Sequence, residues 1–368
     1  MVSSAISPEF AKFDQDFYDH IAFFDQQKFL YPSNFDDQKV RFFAARERRQ
    51  SYNPHFTYLA LGDREFALLD YLENLEIPDH YFGKLYSQIK QQILLCFDLV
   101  QNRQPQSLRN IAQKKYGVAS SELVQEAQAI LRKYRRQPIE DAYFGIKAVT
   151  QQIQEKLVAM QISHWHIEEV QSYIWLCHAN LTTQKLQLPS GLLINQAWID
   201  TIIKNVIEVI LYQNQNARKQ PLRIFELGMD RFEETGLGLM IELAHRNHVI
   251  DELTLRHHAG AVLASYLGHQ FSFWDTYLRL SNLFSQETAF TLTAQAKMGL
   301  EDTTEKGGML HTHLALQGWK KVQPLTQHEL TLLYTGHVGI DQLRLLAEAI
   351  KDQSIQAPTW LPDILKKR

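Results

Sequence analysis

NVIEVILYQNQNARKQPL, residues 205–222, joins two unlike halves. The first half continues a run from Trp198 in which Ile199, Ile202, Ile203, Val206, Ile207, Val209, Ile210 and Leu211 fall almost all round a helical circumference. That pattern predicts a buried, central helix over residues 197–214. The second half, Asn216-Ala217-Arg218-Lys219-Gln220-Pro221-Leu222, is a polar exit that reaches a proline, which cannot continue a helix. Its expected role is structural, fixing how the helix leaves the core. A helix apolar on every side belongs inside a large domain, and this one carries polar chemistry only at Asn205 and Glu208.

Further helices are expected on either side. Phe82, Leu85, Tyr86, Ile89, Ile93 and Phe97 recur at helical spacing within residues 79–100. Ser120-Ser121 marks the start of a second helix, which ends in the basic turn 132–136 before Pro138. Ala142, Ile146, Val149, Ile153 and Leu157 mark a third. From His164 to Asn195 the period changes: HIEEV, SYIWLCHANL and QKLQLPSGLLIN alternate or run β-branched and aromatic, with Pro-Ser-Gly as a turn. A small antiparallel sheet is predicted there. Helices are expected again over 237–248, 253–267 and 271–284, and a late one opens with the capping-box spacing Thr326-Gln327-His328-Glu329.

The fold class is therefore α+β: mainly helical, with a small antiparallel-type sheet and a buried central helix. A helical part over 1–140 and a domain over 141–368 describe the pattern, and a single domain fits it equally, since no linker or repeat separates them.

With 368 residues and 45% hydrophobic content the chain can bury a sizeable core. Its 38 basic and 41 acidic side chains nearly cancel, which gives no electrostatic reason to expect nucleic acid or an anionic membrane as partner. Cys96 and Cys177 each lie in an apolar run and read as buried free thiols of a reducing compartment. No signal-peptide pattern opens the sequence and no apolar run approaches the ~20 residues of a membrane span, so a cytoplasmic location is expected.

A set of ordered motifs carries a resemblance. Pro32-x-Asn34, Phe42, Asn53-Pro54-x-Phe56-x-Tyr58, Tyr116-Gly117, the exit 216–222, Glu234-Thr235 with Gly238-Leu239, Gly299-Leu300-x-Asp302-Thr303 and Gly307-Gly308 follow one another over most of the chain. In this order they resemble the microtubule-associated tyrosine carboxypeptidases and their bacterial relatives, the QEGLA motif proteins, long labelled a domain of unknown function.

The resemblance implies a metallopeptidase-like fold and a zinc site. In the family a His-Glu-x-x-x-His helix and a Glu from the QEGLA segment hold the ion, and the motif's own Glu takes a proton from bound water. Counting back from the exit places the two His positions on Asn205 and Ile210 and the general-base position on Val206; counting on from Glu234-Thr235 places the QEGLA Glu on Leu237. All four have lost their chemistry. Burying an aliphatic side chain contributes about 1.5–3 kcal/mol, so the emptied site is expected to become ordinary core. Gln213 stands where relatives carry Arg, and the family's late Thr-Lys-Asp segment is Leu310-His311-Thr312; Gln213, Arg218, His311 and Thr312 are the groove candidates.

The expected function is thus that of a pseudoenzyme: a carboxypeptidase-like protein without cofactor that binds a peptide or protein partner. The alternative is an active zinc carboxypeptidase with a rebuilt metal site, for which His311 and His313 are the candidate ligands. The pairs His164/His166, His245/His248 and His257/His258 match no zinc spacing with a flanking Glu. His311-Thr312-His313 reads as a polar loop entering a strand, Glu233-Glu234 as an acidic pair opening a helix, and Cys177-His178 as strand neighbours facing opposite ways. A structural or dimerisation role is the third reading.

Overall fold

A computed structural model describes residues 6–134, 143–162, 164–170, 177–181, 183–247, 252–309 and 311–366. The expectations placed on residues 135–136, Pro138, the boundary at 140, Ala142, residues 172–176, His248 and Leu310 lie outside this set.

Helices dominate, as the periodicity requires. The first stripe forms helix Gly83–Gln101, and Ile146–Ala159 buries Val149, Ile153 and Leu157. Ser120 caps Ser121–Lys133, its hydroxyl accepting from the Leu123 amide at 3.2 Å. The capping box closes on both sides: the Thr326 hydroxyl accepts from the Glu329 amide at 3.2 Å, and the Glu329 carboxylate from the Thr326 amide at 2.8 Å. Helices Phe232–Arg246, Glu252–Gly268 and Phe273–Ser281 occupy the later expected segments.

The strand region holds two small sheets. β1 (Tyr143–Gly145) pairs antiparallel with β5 (Leu193–Asn195), while β2 (His166–Val170), β3 (His178–Asn180) and β4 (Lys185–Pro189) lie in the order β2-β4-β3. β3 and β4 are antiparallel, but β2 runs parallel to β4 with His166 opposite Lys185. The expected antiparallel sheet is thus mixed, because the chain passes through β3 before β4 settles beside β2.

Three apolar cores hold these elements. One gathers Phe42, Phe56, Phe273, Tyr277 and Phe290. A second joins Phe17, Tyr86 and Phe97 to Phe225 and Tyr334. The third packs Trp165, Leu186 and Leu188 against Ile199, Val206 and Ile207 of the central helix. The first two draw residues from both sides of position 140.

The motifs of the resemblance interlock. Pro32 bridges Tyr58 and His55 bridges Asp302 as isolated β-pairs. Asn34 spans the same turn, donating to the His55 carbonyl (2.9 Å) and accepting from the Thr57 amide (3.0 Å). The Tyr58 hydroxyl donates to the Leu300 carbonyl (3.0 Å) and accepts from the Gly299 amide (2.9 Å), and Thr303 donates to the Pro54 carbonyl (2.6 Å). Their shared work is to tie the 299–308 loop to residues 32–58.

The exit clasps the end of the chain. Asn216 donates to the Trp360 carbonyl at 2.8 Å and accepts from the Thr359 and Trp360 amides, both at 2.9 Å. Gln220 donates to the carbonyls of Thr335 and Gln356 and accepts from the Gln356 amide. On the other side the Asp14 carboxylate receives the amides of Arg223 and Ile224 and the Tyr86 hydroxyl. The exit is polar because its side chains pair with backbone groups of distant segments.

Candidate functional site

The central helix is not α-helical throughout. Between Gln196–Ile202 and Tyr212–Ala217 lies a π-helix, Ile203–Leu211, and the Tyr212 amide that ends it donates to the Ile207 carbonyl, five residues back. β-branched residues crowd the i+3 and i+4 neighbours of an α-turn, and the run Ile202-Ile203, Val206-Ile207, Val209-Ile210 gains room from a wider one. The Tyr334 hydroxyl also donates to the Glu208 carbonyl at 3.0 Å from outside the helix.

The wider turn decides which residues share a face. In an α-helix residues five apart are rotated by about 140°. The wider turn of an i→i+5 ladder brings them onto one side of the helix. Asn205 and Ile210, the two positions matched to the family's histidines, are therefore brought together by the π segment. Helix Phe232–Arg246, which carries Leu237, packs against the same segment.

The side chains at these positions do not fit zinc. The ion takes nitrogen, sulfur or carboxylate oxygen donors. Asn205, Val206, Ile210 and Leu237 offer one amide and three hydrocarbons. Nor do the hydrocarbons form one plug: Val206 and Ile210 belong to the third core, whereas Leu237 lies half-buried on the first. Ile210 and Asn205 are likewise only half-buried. Of the four positions Val206 alone is buried.

Other candidates are placed apart. His311-Thr312-His313 forms a buried 3₁₀ turn at the start of helix Leu314–Val322, not a polar loop entering a strand. His311 lies 5.4 Å from the Tyr116 ring, His313 faces the Ser265 hydroxyl at 3.4 Å, and Thr312 donates to the Ala261 carbonyl at 2.7 Å. Gln213 is fully buried and donates to the Leu333 carbonyl at 2.9 Å; Arg218 is exposed, near enough to His164 to help lower its pKa. His164 stands outside β2, which begins at His166, so that pair does not share a strand face. Burial pushes His257 down to about 4 and His258 to about 3, and the Cys177 thiol up to about 12, far from a reactive thiolate. Both cysteines are free. Among the described residues no three His, Cys, Asp or Glu side chains gather as a metal-binding group.

A polar cluster that the sequence did not announce lies beside Leu237. Helix Phe232–Arg246 packs backbone to backbone on Leu314–Val322, so closely that a Cβ on Gly238 would stand 2.2 Å from the Gly318 carbonyl carbon. That side of the helix is fully paired: Glu234 accepts from Gln317 and Lys321, both at 2.7 Å, and Glu242 from Trp319 at 2.9 Å. The other side presents Glu233, Leu237 and Met240, half-buried at spacings of four and three. Lys115 and Tyr116, ending helix Pro105–Tyr116, and Cys96 from Gly83–Gln101 stand near Glu233. The Lys115 ammonium donates to the Gln92 carbonyl (3.4 Å) and side-chain oxygen (3.1 Å), and its charge opposes the rise that burial gives the Cys96 thiol pKa. Burial raises the carboxyl pKa of Glu233 against the Lys115 charge, and that of Asp230 against the charges of Arg231 and, more weakly, Lys115. His311 falls to about 4 through burial and that same charge, and is neutral at pH 7. The sequence marked Tyr116-Gly117, Glu233-Glu234, Cys96 and His311 singly, but not their meeting.

A family model described as microtubule-associated tyrosine carboxypeptidase matches residues 40–368. No curated protein matches the chain.

Proposed function

The chain belongs to the microtubule-associated tyrosine carboxypeptidase family, and from that membership we propose that it is a non-catalytic member which binds a peptide or protein segment where its relatives would cut one. One observation carries the reading. The π segment sets residues 205 and 210 on a common face, a geometry suited to a pair of ligands five apart, yet that face holds an amide and a hydrocarbon. A backbone built for two ligands has outlasted them.

The residues that remain suit binding better than hydrolysis. Leu237 and Met240 offer half-buried hydrocarbon, and the polar groups beside them have carboxyls raised by burial and a neutral imidazole. Binding sites commonly combine apolar walls with a few polar groups that orient the ligand. Hydrolysis would need an activated water, and no side chain at 205, 206, 210 or 237 is a base.

Incubation with a pool of synthetic peptides bearing free C-termini tests the proposal. Mass spectrometry is expected to find no shortened peptide, while gel filtration retains a subset with the protein. Release of C-terminal residues by the wild-type protein, lost on adding a chelator, would overturn it.

A further inference from the structure

Crowding among β-branched side chains favours a wide turn along residues 202–210, but it does not fix where that turn ends. Such side chains occur throughout the run, whereas the ladder returns to α pitch at one point, between Leu211 and Tyr212. There the Tyr212 amide passes over its α-helical partner. It donates to the carbonyls of Ile207 and Val209, five and three residues back, and not to that of Glu208, four residues back. The Glu208 carbonyl accepts instead from the Tyr334 hydroxyl at 3.0 Å.

Tyr334 reaches the helix from a fixed position. Its side chain is fully buried in the second core, which also takes in Val209 and Ala217 of the central helix. The amides of Tyr334 and Thr335 close turns on the carbonyls of Thr331 and Leu332. Burial raises the phenol's pKa well above its ordinary range, so the hydroxyl remains a donor. Its two neighbours hold the same stretch of chain: the Leu333 carbonyl accepts from Gln213 at 2.9 Å, and the Thr335 carbonyl from Gln220 at 3.2 Å. Glu208 and Gln213 lie five apart. On an α pitch they would diverge by about 140°, yet both meet the adjacent residues Leu333 and Tyr334.

We propose that Tyr334 is a positioning residue: its hydroxyl, anchored by the second core, keeps the central helix in the π register and so sets Asn205 and Ile210 on one side of it. It acts through the backbone and needs no contact with either residue. A side chain inserted into a helical ladder changes the course of the helix at that point, and here the insertion falls where the pitch changes. The inference concerns the shape of the face, whatever binds there, and stands apart from the peptide-binding reading.

Nickel affinity reads the register. In a chain carrying Asn205→His and Ile210→His, Ni²⁺ binding is measured by isothermal titration with and without Tyr334→Phe, which removes one hydroxyl and keeps the ring. The loss is expected to weaken Ni²⁺ binding about fivefold or more, the size of one buried hydrogen bond. Tyr86→Phe serves as the control, since it removes a buried hydroxyl that donates to Asp14 at 2.7 Å elsewhere in the second core. It is expected to lower the melting temperature and leave Ni²⁺ affinity unchanged. Unaltered affinity in the Tyr334→Phe chain overturns the inference, and so does an equal loss in the Tyr86→Phe chain, which would mark general loosening. Failure of the double-histidine chain to bind Ni²⁺ overturns it as well, because residues 205 and 210 would then not share a side. Should Tyr334→Phe not fold, Gln213→Leu removes the neighbouring strut and is judged by the same readout. Peptide retention by the wild-type chain is scored separately, and its absence would remove the binding reading alone.

Discussion

At position 238 nothing larger than hydrogen fits. Alanine favours a helix over glycine by about 1 kcal/mol, yet its methyl group would stand 2.2 Å from the Gly318 carbonyl carbon. Gly238→Ala is expected to lower folding stability by about 1–3 kcal/mol through overpacking, read as a lower midpoint in urea; an unchanged or higher midpoint would contradict the close approach. Lys297 makes a different residue-scale prediction. Its amine is fully buried and donates to the carbonyls of Gly268, Phe271 and Glu305. Burial lowers its pKa from 10.5 to about 7. Between those values the unfolded chain binds more protons than the folded one, so this group makes stability rise with pH across that window. The wild-type minus Lys297→Met difference in unfolding free energy should shift in favour of the wild type from pH 7 to pH 10. A difference flat in pH would show that the folded amine titrates normally.

Among the elements, the central helix shows both the reach and the limit of a sequence reading. Apolar residues all round its circumference announced a buried helix at the right place. The same all-round pattern concealed its π turn, because no single stripe existed whose drift would reveal a change of pitch. Histidines installed at 205 and 210 test that turn. Asn205→His with Ile210→His should bind Ni²⁺ measurably, since the π ladder brings residues five apart onto one side of the helix, whereas Asn205→His with Ile210→Ala should not. Equal binding by the two variants would place residues 205 and 210 on different faces. The exit was legible as a frame, but its purpose was not: Asn216 meets Trp360 across 144 residues of chain, and no local pattern marks such a pairing. Asn216→Ala removes three hydrogen bonds to residues 359 and 360. It should cost about 1–3 kcal/mol and speed amide exchange over residues 355–366, while unchanged exchange there would deny the clasp. The parallel pairing of β2 with β4 escaped for a related reason, since alternation fixes which side chains share a face but not the direction of a neighbouring strand.

Across the whole molecule, what could be read in advance was the scaffold. Asn34, Pro54, Tyr58, Leu300 and Thr303 proved to be one hydrogen-bonded and bridged set, which explains how scattered residues can identify a family. Positions 205, 206, 210 and 237 come from counting within that frame, and the chemistry their side chains offer follows from residue type alone. The Glu233–Lys115 cluster was hidden because it depends on three helices meeting, and Tyr116-Gly117, Glu233-Glu234 and Cys96 were visible only one by one. The framework is that of the carboxypeptidase family, and positions 205, 206, 210 and 237 carry one amide and three hydrocarbons. The most direct test is the zinc content of the purified protein after growth in zinc-supplemented medium and dialysis against metal-free buffer. Far less than one zinc per chain is predicted, with no change when Asn205 and Leu237 are replaced by alanine; one tightly held zinc per chain, lost in those variants, would contradict it.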